Sequence, residues 1–259
     1  MWAVLGPLGN QSAMQVICVI PARGGSKGLP RKNVTTLCGH PLVAYPIAAA
    51  RASDCCNAIF LTTDDEEIAE AGRQYGADVP FLRPKHFAED ATSTEATLQN
   101  ALLEYERHIG RTFDIAVFLT PTDIFRRPEW IMQAVDRLRN SPELESVFSA
   151  SATHKNYWHR PGGTGELTRV LDWMASYGSR QSRQKIWRED TGLACASRAE
   201  LWRAGRRIGD RVGIIETIHG ETAIDIHEAF DLFLAEQAIV WLRRNAPERA
   251  PIEPERVFQ

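Results

Sequence analysis

Short apolar runs alternate with helical patterns along most of the chain. Buried strands are predicted at 16–21, 58–63, 114–120 and 145–151, and a short one at 77–81. Helices are predicted at 41–53, 64–76, 96–109, 128–140 and 228–245. Strands that alternate with helices at this spacing favour a parallel sheet covered on both faces. The predicted fold class is therefore α/β, with a mainly parallel sheet.

The alternation fails between residues 152 and 190. This stretch is rich in aromatic residues, Arg and Gly, and it is too long for a plain loop in a compact domain. We interpret it as an excursion that packs on another subunit. The first part of the α/β domain is then 14–151, and 191–259 completes it. Residues 1–13 could be a disordered leader, a remnant of cloning or a wrongly chosen start.

Composition excludes several classes of protein. The net charge of −3 argues against a general nucleic-acid or acidic-membrane binder. Apolar runs stay shorter than the roughly 18–20 residues of a membrane helix. The five cysteines include no CxxC pair, which favours reduced thiols and a cytoplasmic location.

The first predicted strand runs into a glycine-rich basic loop, "ARGGSKGLPRKN" (22–33). The order of residues fits neither GxxxxGK[ST] nor GxGxxG. Backbone amides without Cβ obstruction, together with Arg23, Lys27 and Lys32, form a plausible cradle for a polyphosphate. The alternative is a tight turn with solvated lysines.

Polar residues also follow the other predicted strands, at 62–65, at 120–127 and around Asp225. In an open α/β sheet, ligands bind beyond the carboxyl ends of the strands. One crevice could therefore collect all four segments.

Four blocks, in order, give the chain a family resemblance. "IPARGGSKGLPRKN" resembles the N-terminal signature of the acylneuraminate cytidylyltransferases, which are the CMP-sialic acid synthetases and their nonulosonate relatives. "LTTDDEEIAEAGRQYGADVPFLRP" resembles their next block, "FLTPTDIFR" a variant of their LQPTSPLR-like block, and "AIDIHEAFDLFLAE" their C-terminal metal block. The resemblance implies a Rossmann-like three-layer nucleotidyltransferase domain, in which 14–151 is the nucleotide-binding part and 152–190 is a dimerisation and sugar-binding excursion.

The resemblance also implies a reaction. The anomeric hydroxyl of a 2-keto-3-deoxy sugar acid attacks the α-phosphorus of CTP, pyrophosphate leaves and a CMP-sugar forms with Mg²⁺. Such an in-line displacement needs positioning and charge neutralisation more than covalent chemistry. CTP and the sugar acid are the expected partners, besides a second copy of the chain.

Roles on the nucleotide side carry over by position. The residues implied to hold the triphosphate or the nucleoside are Arg23, Gly24, Ser26, Lys27, Asn33, Arg83, Ser93 and Thr120. Lys32 would lie near the α-phosphate, where charge develops, so Arg23, Lys32 and Asp225 are the predicted catalytic residues. Asp225 matches the principal metal carboxylate, and a carboxylate suits Mg²⁺. Asp231 could instead complement the dipole of the last helix.

The chain departs from the family pattern in several places, including three positions in its quoted blocks. His227 stands where relatives often have a second carboxylate (DID), and imidazole is a poor Mg²⁺ ligand. It could contact the sugar acid, accept a proton or be purely structural. Thr120 and Asp123 replace the Gln and Ser of LQPTS. Asp123 could be a further metal ligand, an acceptor for a sugar hydroxyl or part of a helix N-terminus.

The sugar-acid pocket is expected to involve the excursion, because "RQSRQKIWREDTG" resembles the family's RQxxPxxYxxNG segment. The candidate sugar-acid ligands are Lys155, Arg180, Gln181 and Arg188, together with Asp123 and His227. Legionaminate, pseudaminate, N-acetylneuraminate and a Kdo-type acid all fit these residues. A polyol-phosphate cytidylyltransferase and a non-catalytic nucleotide-binding relative are the alternatives.

Overall fold

A computed structural model describes residues 14–26, 28–179 and 181–257. The strands are β1 (Val16–Pro21), β2 (Thr36–Leu37), β3 (His40–Pro41), β4 (Ala58–Thr62), β5 (Ile115–Phe118), β6 (Ser146–Thr153), β7 (Trp158–His159), β8 (Thr168–Arg169), β9 (Ile186–Glu189), β10 (Cys195–Arg198) and β11 (Val212–Thr217). The helices are α1 (Ala44–Ala52), α2 (Glu66–Gln74), α3 (Thr94–Ile109), α4 (Pro128–Asn140), α5 (Ala199–Arg203) and α6 (Ala229–Asn245).

Within these ranges seven strands form one mixed sheet, in the order β11-β6-β10-β5-β1-β4, with β9 also paired to β6. Strands β4, β1, β5, β6 and β11 run in one direction, and β9 and β10 run in the other. Strands β9 and β10 follow one another along the same strand, β6, and are separated by a loop at 190–194. The antiparallel strand β10 thereby lies between two parallel groups.

Helices cover both faces of the sheet, and β1 shows this most directly. Its side chains alternate between two apolar clusters, as expected for a strand buried on both faces. Val16, Cys18 and Ile20 pack with residues of α1, α2 and α4. Ile17 and Val19 pack with residues of α3 and α5. The predicted three-layer α/β fold is confirmed.

Local predictions were less accurate at element ends. The first helix begins at Ala44 rather than at residue 41, so Pro46 lies in its first turn, where proline is tolerated. The predicted strand at 77–81 is reduced to a single bridge between Phe60 and Asp78.

The last helix, α6, packs against segments from the first fifth of the chain. Its residues Ala235, Ile239 and Leu242 pack in a third apolar cluster with residues of β2 and of the segment before α1. A Cβ at Gly28 would lie 2.4 Å from the carbonyl oxygen of His227. The loop after β1 therefore approaches the segment before α6 closely. No helix in the described part of the chain is long and apolar enough to cross a membrane.

The excursion carries its own small structure. Strands β7 and β8 pair as an antiparallel ribbon, and a 3-10 turn at Asp172–Ala175 buries Met174. Strand β9 then returns to the main sheet beside β6. Its division from the rest of the domain at residues 152 and 190 stays a prediction.

Candidate active site

The carboxyl ends of β1, β4 and β5 lie at one edge of the sheet, because these strands are parallel. Two cavities open there, of about 280 Å³ and about 500 Å³. Thr94, the first residue of α3, lines both of them. The edge therefore offers two adjoining binding spaces rather than one.

The smaller cavity contains two of the predicted nucleotide ligands, Arg23 and Arg83. Arg83 is 5% exposed, and burial lowers the pKa of its guanidinium. Its Nη2 lies 3.9 Å from Asp64 Oδ1, and the same oxygen accepts a 2.9 Å hydrogen bond from the Gly24 amide. Arg23 pairs with Asp90 at 2.8 Å. The cations are thus held by carboxylates next to an open space.

Other predicted nucleotide ligands have structural contacts of their own. The buried Asn33 donates from Nδ2 to the Arg23 carbonyl oxygen at 2.8 Å, which fixes the loop after β1. Ser93 is the N-cap of α3, since its Oγ accepts from the Ala96 amide at 3.1 Å. Ser26 is half-buried in the loop, and Lys27 lies outside the described residues. Their contacts with a nucleotide stay predictions.

Lys32 joins the loop to the segment before α6. Its Nζ donates to the Ile226 carbonyl oxygen at 3.0 Å. Burial lowers the pKa of Lys32, and the carboxylate of Asp225 opposes that shift. Asp225 itself is open to the larger cavity. The structure therefore brings two of the predicted catalytic residues, Lys32 and Asp225, into one electrostatic neighbourhood.

Two neighbours of Asp225 differ in what they contact. His227 Nε2 lies 2.7 Å from Asp225 Oδ2, and both residues line the larger cavity. Asp231 Oδ2 instead accepts from the amides of His227 and Glu228, at 2.8 and 2.9 Å. These backbone hydrogen bonds lower the pKa of Asp231. Asp231 therefore caps α6, as the helix-dipole alternative predicted.

The floor of the larger cavity joins the ends of β5 and β9. Thr120 Oγ1 donates to Asp123 Oδ2 at 2.5 Å, and burial raises the pKa of Asp123. A Cβ at Gly192 would lie 1.9 Å from that same Asp123 oxygen. Only a glycine therefore fits against the carboxylate in this arrangement.

A fully buried arginine lies beneath this floor. Arg126 is 2% exposed. It donates from Nη2 to the carbonyl oxygens of Thr120 and Gly192, the latter at 2.8 Å, and from Nε to that of Leu193 at 3.1 Å. Burial lowers the pKa of Arg126 to about 10. One side chain thus fastens two loops that are distant in sequence.

The predicted sugar-acid ligands of the excursion are dispersed. Arg188 lines the larger cavity but donates from Nε to Asp190 Oδ1 at 2.8 Å. Lys155 lines a separate cavity with Arg183. Gln181 is exposed in a turn, and Arg180 lies outside the described residues. Of the three candidates that the structure describes, Arg188 is the one that it places at the cavity.

Sequence reasoning missed several residues of the cavity wall. Thr191 and Arg207 line the cavity together with Phe118, and Arg126 supports its floor. Arg126 stood inside the quoted "FLTPTDIFR" block, so that block was its signal. Arg207 lies in "GRRIGD", a stretch with no motif to mark it.

Comparison with known proteins places the chain in a family. The chain is 43% identical over 123 residues to CMP-N,N'-diacetyllegionaminic acid synthase of Legionella pneumophila, which covers 48% of this chain and 53% of that protein. It is 38% identical over 144 residues to pseudaminic acid cytidylyltransferase of Campylobacter jejuni, covering 56% and 60%. The matched region thus spans little more than half the length of these relatives.

A solved structure of a CMP:2-keto-3-deoxy-manno-octonic acid synthetase complexed with CTP superposes with a TM-score of 0.61. The match covers 88% of this chain and 99% of that one at 15% identity, which shows a shared fold. A family model described as cytidylyltransferase matches residues 17–192, more than half of the chain. The chain therefore belongs to the cytidylyltransferase family.

Proposed function

We propose that this protein transfers CMP from CTP to a 2-keto-3-deoxy sugar acid of the nonulosonate type and releases pyrophosphate. The observation that carries the proposal is the pair of adjoining cavities at the sheet edge. One contains Arg23 and Arg83, the other contains Asp123 and Asp225, and both are lined by Thr94. A transfer between two substrates requires such neighbouring spaces.

The nucleotide occupies the smaller cavity and the loop after β1. Arg23 and Arg83 supply positive charge there, and the amides of the loop can approach phosphate oxygens. Lys32 neutralises charge at the α-phosphate as the bond to pyrophosphate breaks. An ammonium suits this position because it is a compact point charge.

The residues present fit a Mg²⁺ ion that is coordinated jointly by the protein and by the substrate. The described residues contain no cluster of three or more His, Cys, Asp or Glu side chains that could hold a metal. Asp225 supplies one hard oxygen donor at the cavity. Mg²⁺ commonly binds through one or two carboxylates plus substrate phosphates and water, so Asp225 would hold it with the triphosphate. The ion would supply charge neutralisation when bound.

The sugar acid occupies the larger cavity. Its wall carries carboxylates that can accept from hydroxyl groups, among them Asp123, and the cations Arg188 and Arg207. The hydroxyl at the anomeric carbon gives up its proton to solvent and attacks the α-phosphorus, an oxygen–phosphorus bond forms, and the bond to pyrophosphate breaks. The relatives named for legionaminic and pseudaminic acids support a sugar acid as the acceptor.

A homodimer in the cytoplasm, where CTP is available, completes the proposal. The excursion exposes large side chains that a single copy leaves uncovered, with Trp158 and Trp187 each 47% exposed and Tyr177 64% exposed. A partner subunit would bury these rings. Sedimentation at micromolar concentration tests this: a dimer is expected, and a monomer contradicts it.

Pyrophosphate release tests the reaction. The protein is incubated with CTP, Mg²⁺ and one of five acids: N-acetylneuraminate, Kdn, Kdo, legionaminate or pseudaminate. Release with one acid, absent without it, is expected. CTP binding without release for any acid contradicts the proposed activity.

A further inference from the structure

One cation of the larger cavity, Arg207, belongs to none of the motifs. Its Nη1 donates to Thr191 Oγ1 at 2.6 Å, and its Nε lies 3.4 Å from Glu95 Oε1. The guanidinium carbon lies 5.2 Å from the centre of the Phe118 ring. Arg207, Thr191 and Phe118 all line the cavity. The guanidinium is therefore held in a defined plane at the cavity wall.

The backbone of Arg207 is anchored as well. Its carbonyl oxygen accepts from Ser197 Oγ at 2.7 Å and from Trp202 Nε1 at 3.1 Å. Ser197 and Trp202 are buried. Two hydrogen bonds from the core thus fix the point from which the side chain extends. A side chain held in this way loses little entropy on binding a ligand.

The two arginines of the cavity differ in how far their charge is neutralised. Arg188 donates from Nε to Asp190 Oδ1 at 2.8 Å, and its Nη2 lies 2.8 Å from the same oxygen. Arg207 makes its short contact to a neutral hydroxyl and only a 3.4 Å contact to a carboxylate. A guanidinium has five N–H donors, more than these two contacts use. Arg207 is therefore better able than Arg188 to accept an anion.

Most other charged residues of the cavity wall are acidic and repel an anion. Asp123, Glu189, Asp190 and Asp225 all line the same cavity. A negatively charged ligand group is repelled by these carboxylates and attracted to the cation least neutralised by them. Planar guanidinium and planar carboxylate also match in bidentate hydrogen bonding.

We infer that Arg207 binds the carboxylate of the sugar acid and so selects an acid over a neutral sugar. The inference rests on the proposed function, and it adds Arg207 to the candidate sugar-acid ligands that the sequence indicated, among them Arg188. It assigns a specificity-determining residue for the acceptor and predicts no effect on CTP.

The experiment measures steady-state pyrophosphate release by the full-length chain for the accepted acid and for its methyl ester. The variants are Arg207→Gln and Arg207→Lys. Arg206→Gln is the matched control, because the neighbouring Arg206 is an exposed arginine that pairs with Asp210 at 2.9 Å. Thermal melting monitors folding of every variant.

For Arg207→Gln, the KM of the acid is expected to rise about tenfold or more, the loss typical of one charge-assisted hydrogen bond. The KM of CTP should stay within about twofold. The native protein should prefer the acid to its ester in kcat/KM, and Arg207→Gln should largely lose that preference. Arg207→Lys should retain part of it, since the charge remains without the fork. Arg206→Gln should behave as native.

The acid-to-ester ratio of kcat/KM does not depend on how much of a variant is folded. A destabilised variant therefore still shows whether the preference for the acid is lost. The inference is overturned, while the proposed function stands, if Arg207→Gln keeps the native acid-to-ester ratio. It is also overturned if this variant raises the KM of CTP as much as that of the acid. If the native protein turns over no acid, the proposed function fails and takes the inference with it.

Discussion

The two cavities at the sheet edge are built in different ways. The nucleotide side is drawn mainly from two segments. One is the loop after β1, which carries Arg23, Gly24 and Lys32 and is fixed by the bond from Asn33 to Arg23; the other is the stretch 83–97, which lines the smaller cavity. The acceptor side is assembled from the end of β5, the loop between β9 and β10, and Arg207 after α5. Arg126 fastens the first two of these to each other.

Because the two sides are built from different segments, substitutions on each side should change different kinetic constants. The basic loop that we propose binds the triphosphate supplies its residues from one continuous stretch of the sequence. The acceptor cavity depends on contacts between distant segments, such as Asp123 against Gly192. Substitutions on the nucleotide side, and at Asp225, which is proposed to hold Mg²⁺, should therefore change kcat or the KM of CTP. The other substitutions on the acceptor side should change the KM of the sugar acid and leave that of CTP unaltered.

The largest effect is expected for Asp225→Ala. Loss of the carboxylate proposed to hold Mg²⁺ should lower kcat by about a thousandfold, because charge on the phosphates is then poorly neutralised. Pyrophosphate release at saturating substrates measures this. Asp231→Asn is the control, since Asp231 caps α6 and the side-chain oxygen of the asparagine can still accept from the backbone amides of His227 and Glu228. Full activity of Asp225→Ala with Mg²⁺ would refute the metal assignment.

Arg126→Met tests the support of the acceptor side. It leaves three backbone carbonyls without their shared donor and Asp123 without the opposing charge, which should lower the free energy of unfolding by about 3 kcal/mol. Urea denaturation measures the loss. Arg127→Met, a half-buried neighbour stacked on Trp130, should cost about 1 kcal/mol or less. Equal losses for the two variants would show that Arg126 fastens nothing.

Lys32→Ala should lower kcat by about a hundredfold at saturating CTP, because its charge acts on the transition state. Burial lowers the pKa of Lys32, so its ammonium loses its proton at a lower pH than an exposed lysine does. The kcat of the native protein should accordingly fall as pH rises through that pKa. Lys32→Arg stays charged and should move this decline to higher pH.

If Lys32→Ala raises the KM of CTP and leaves kcat unchanged, the α-phosphate role is contradicted. An identical alkaline decline in Lys32→Arg and the native protein would assign that decline to another group.

Gly192→Ala should have the smallest effect of the four. The added Cβ must displace Asp123, whose oxygen lies 1.9 Å from its position. The KM of the sugar acid should rise about tenfold while that of CTP stays within about twofold. Gly220→Ala is the control, because a Cβ there meets nothing within 4 Å. An equal effect of Gly192→Ala on both substrates would remove the distinction between the two sides.

The sequence predicted the layers of the fold because β1 and its neighbours are short, continuous apolar runs buried on both faces. It did not predict that β10 runs antiparallel between β5 and β6, since direction leaves no mark on an apolar run. Helix starts were misplaced where proline was ambiguous: Pro41 lies in β3 and Pro46 in the first turn of α1.

The residues that line the two cavities could be predicted only in part, and their roles stay predictions. Contiguous motifs indicated Arg23, Lys32 and Asp225, and a resemblance in the excursion indicated Arg188. Arg207 reaches the cavity only through tertiary packing, with Ser197 and Trp202 holding its backbone. The N-cap role of Ser93 also became evident only from its bond to the Ala96 amide.

The most direct test of the proposed transfer is ³¹P NMR of the protein with CTP, Mg²⁺ and the sugar acid that supports pyrophosphate release. We predict equal amounts of pyrophosphate and of a phosphodiester that joins CMP to the sugar acid. A diphosphate-linked product formed only from a sugar or polyol phosphate, or CTP bound without any new phosphorus signal, would contradict the proposed reaction.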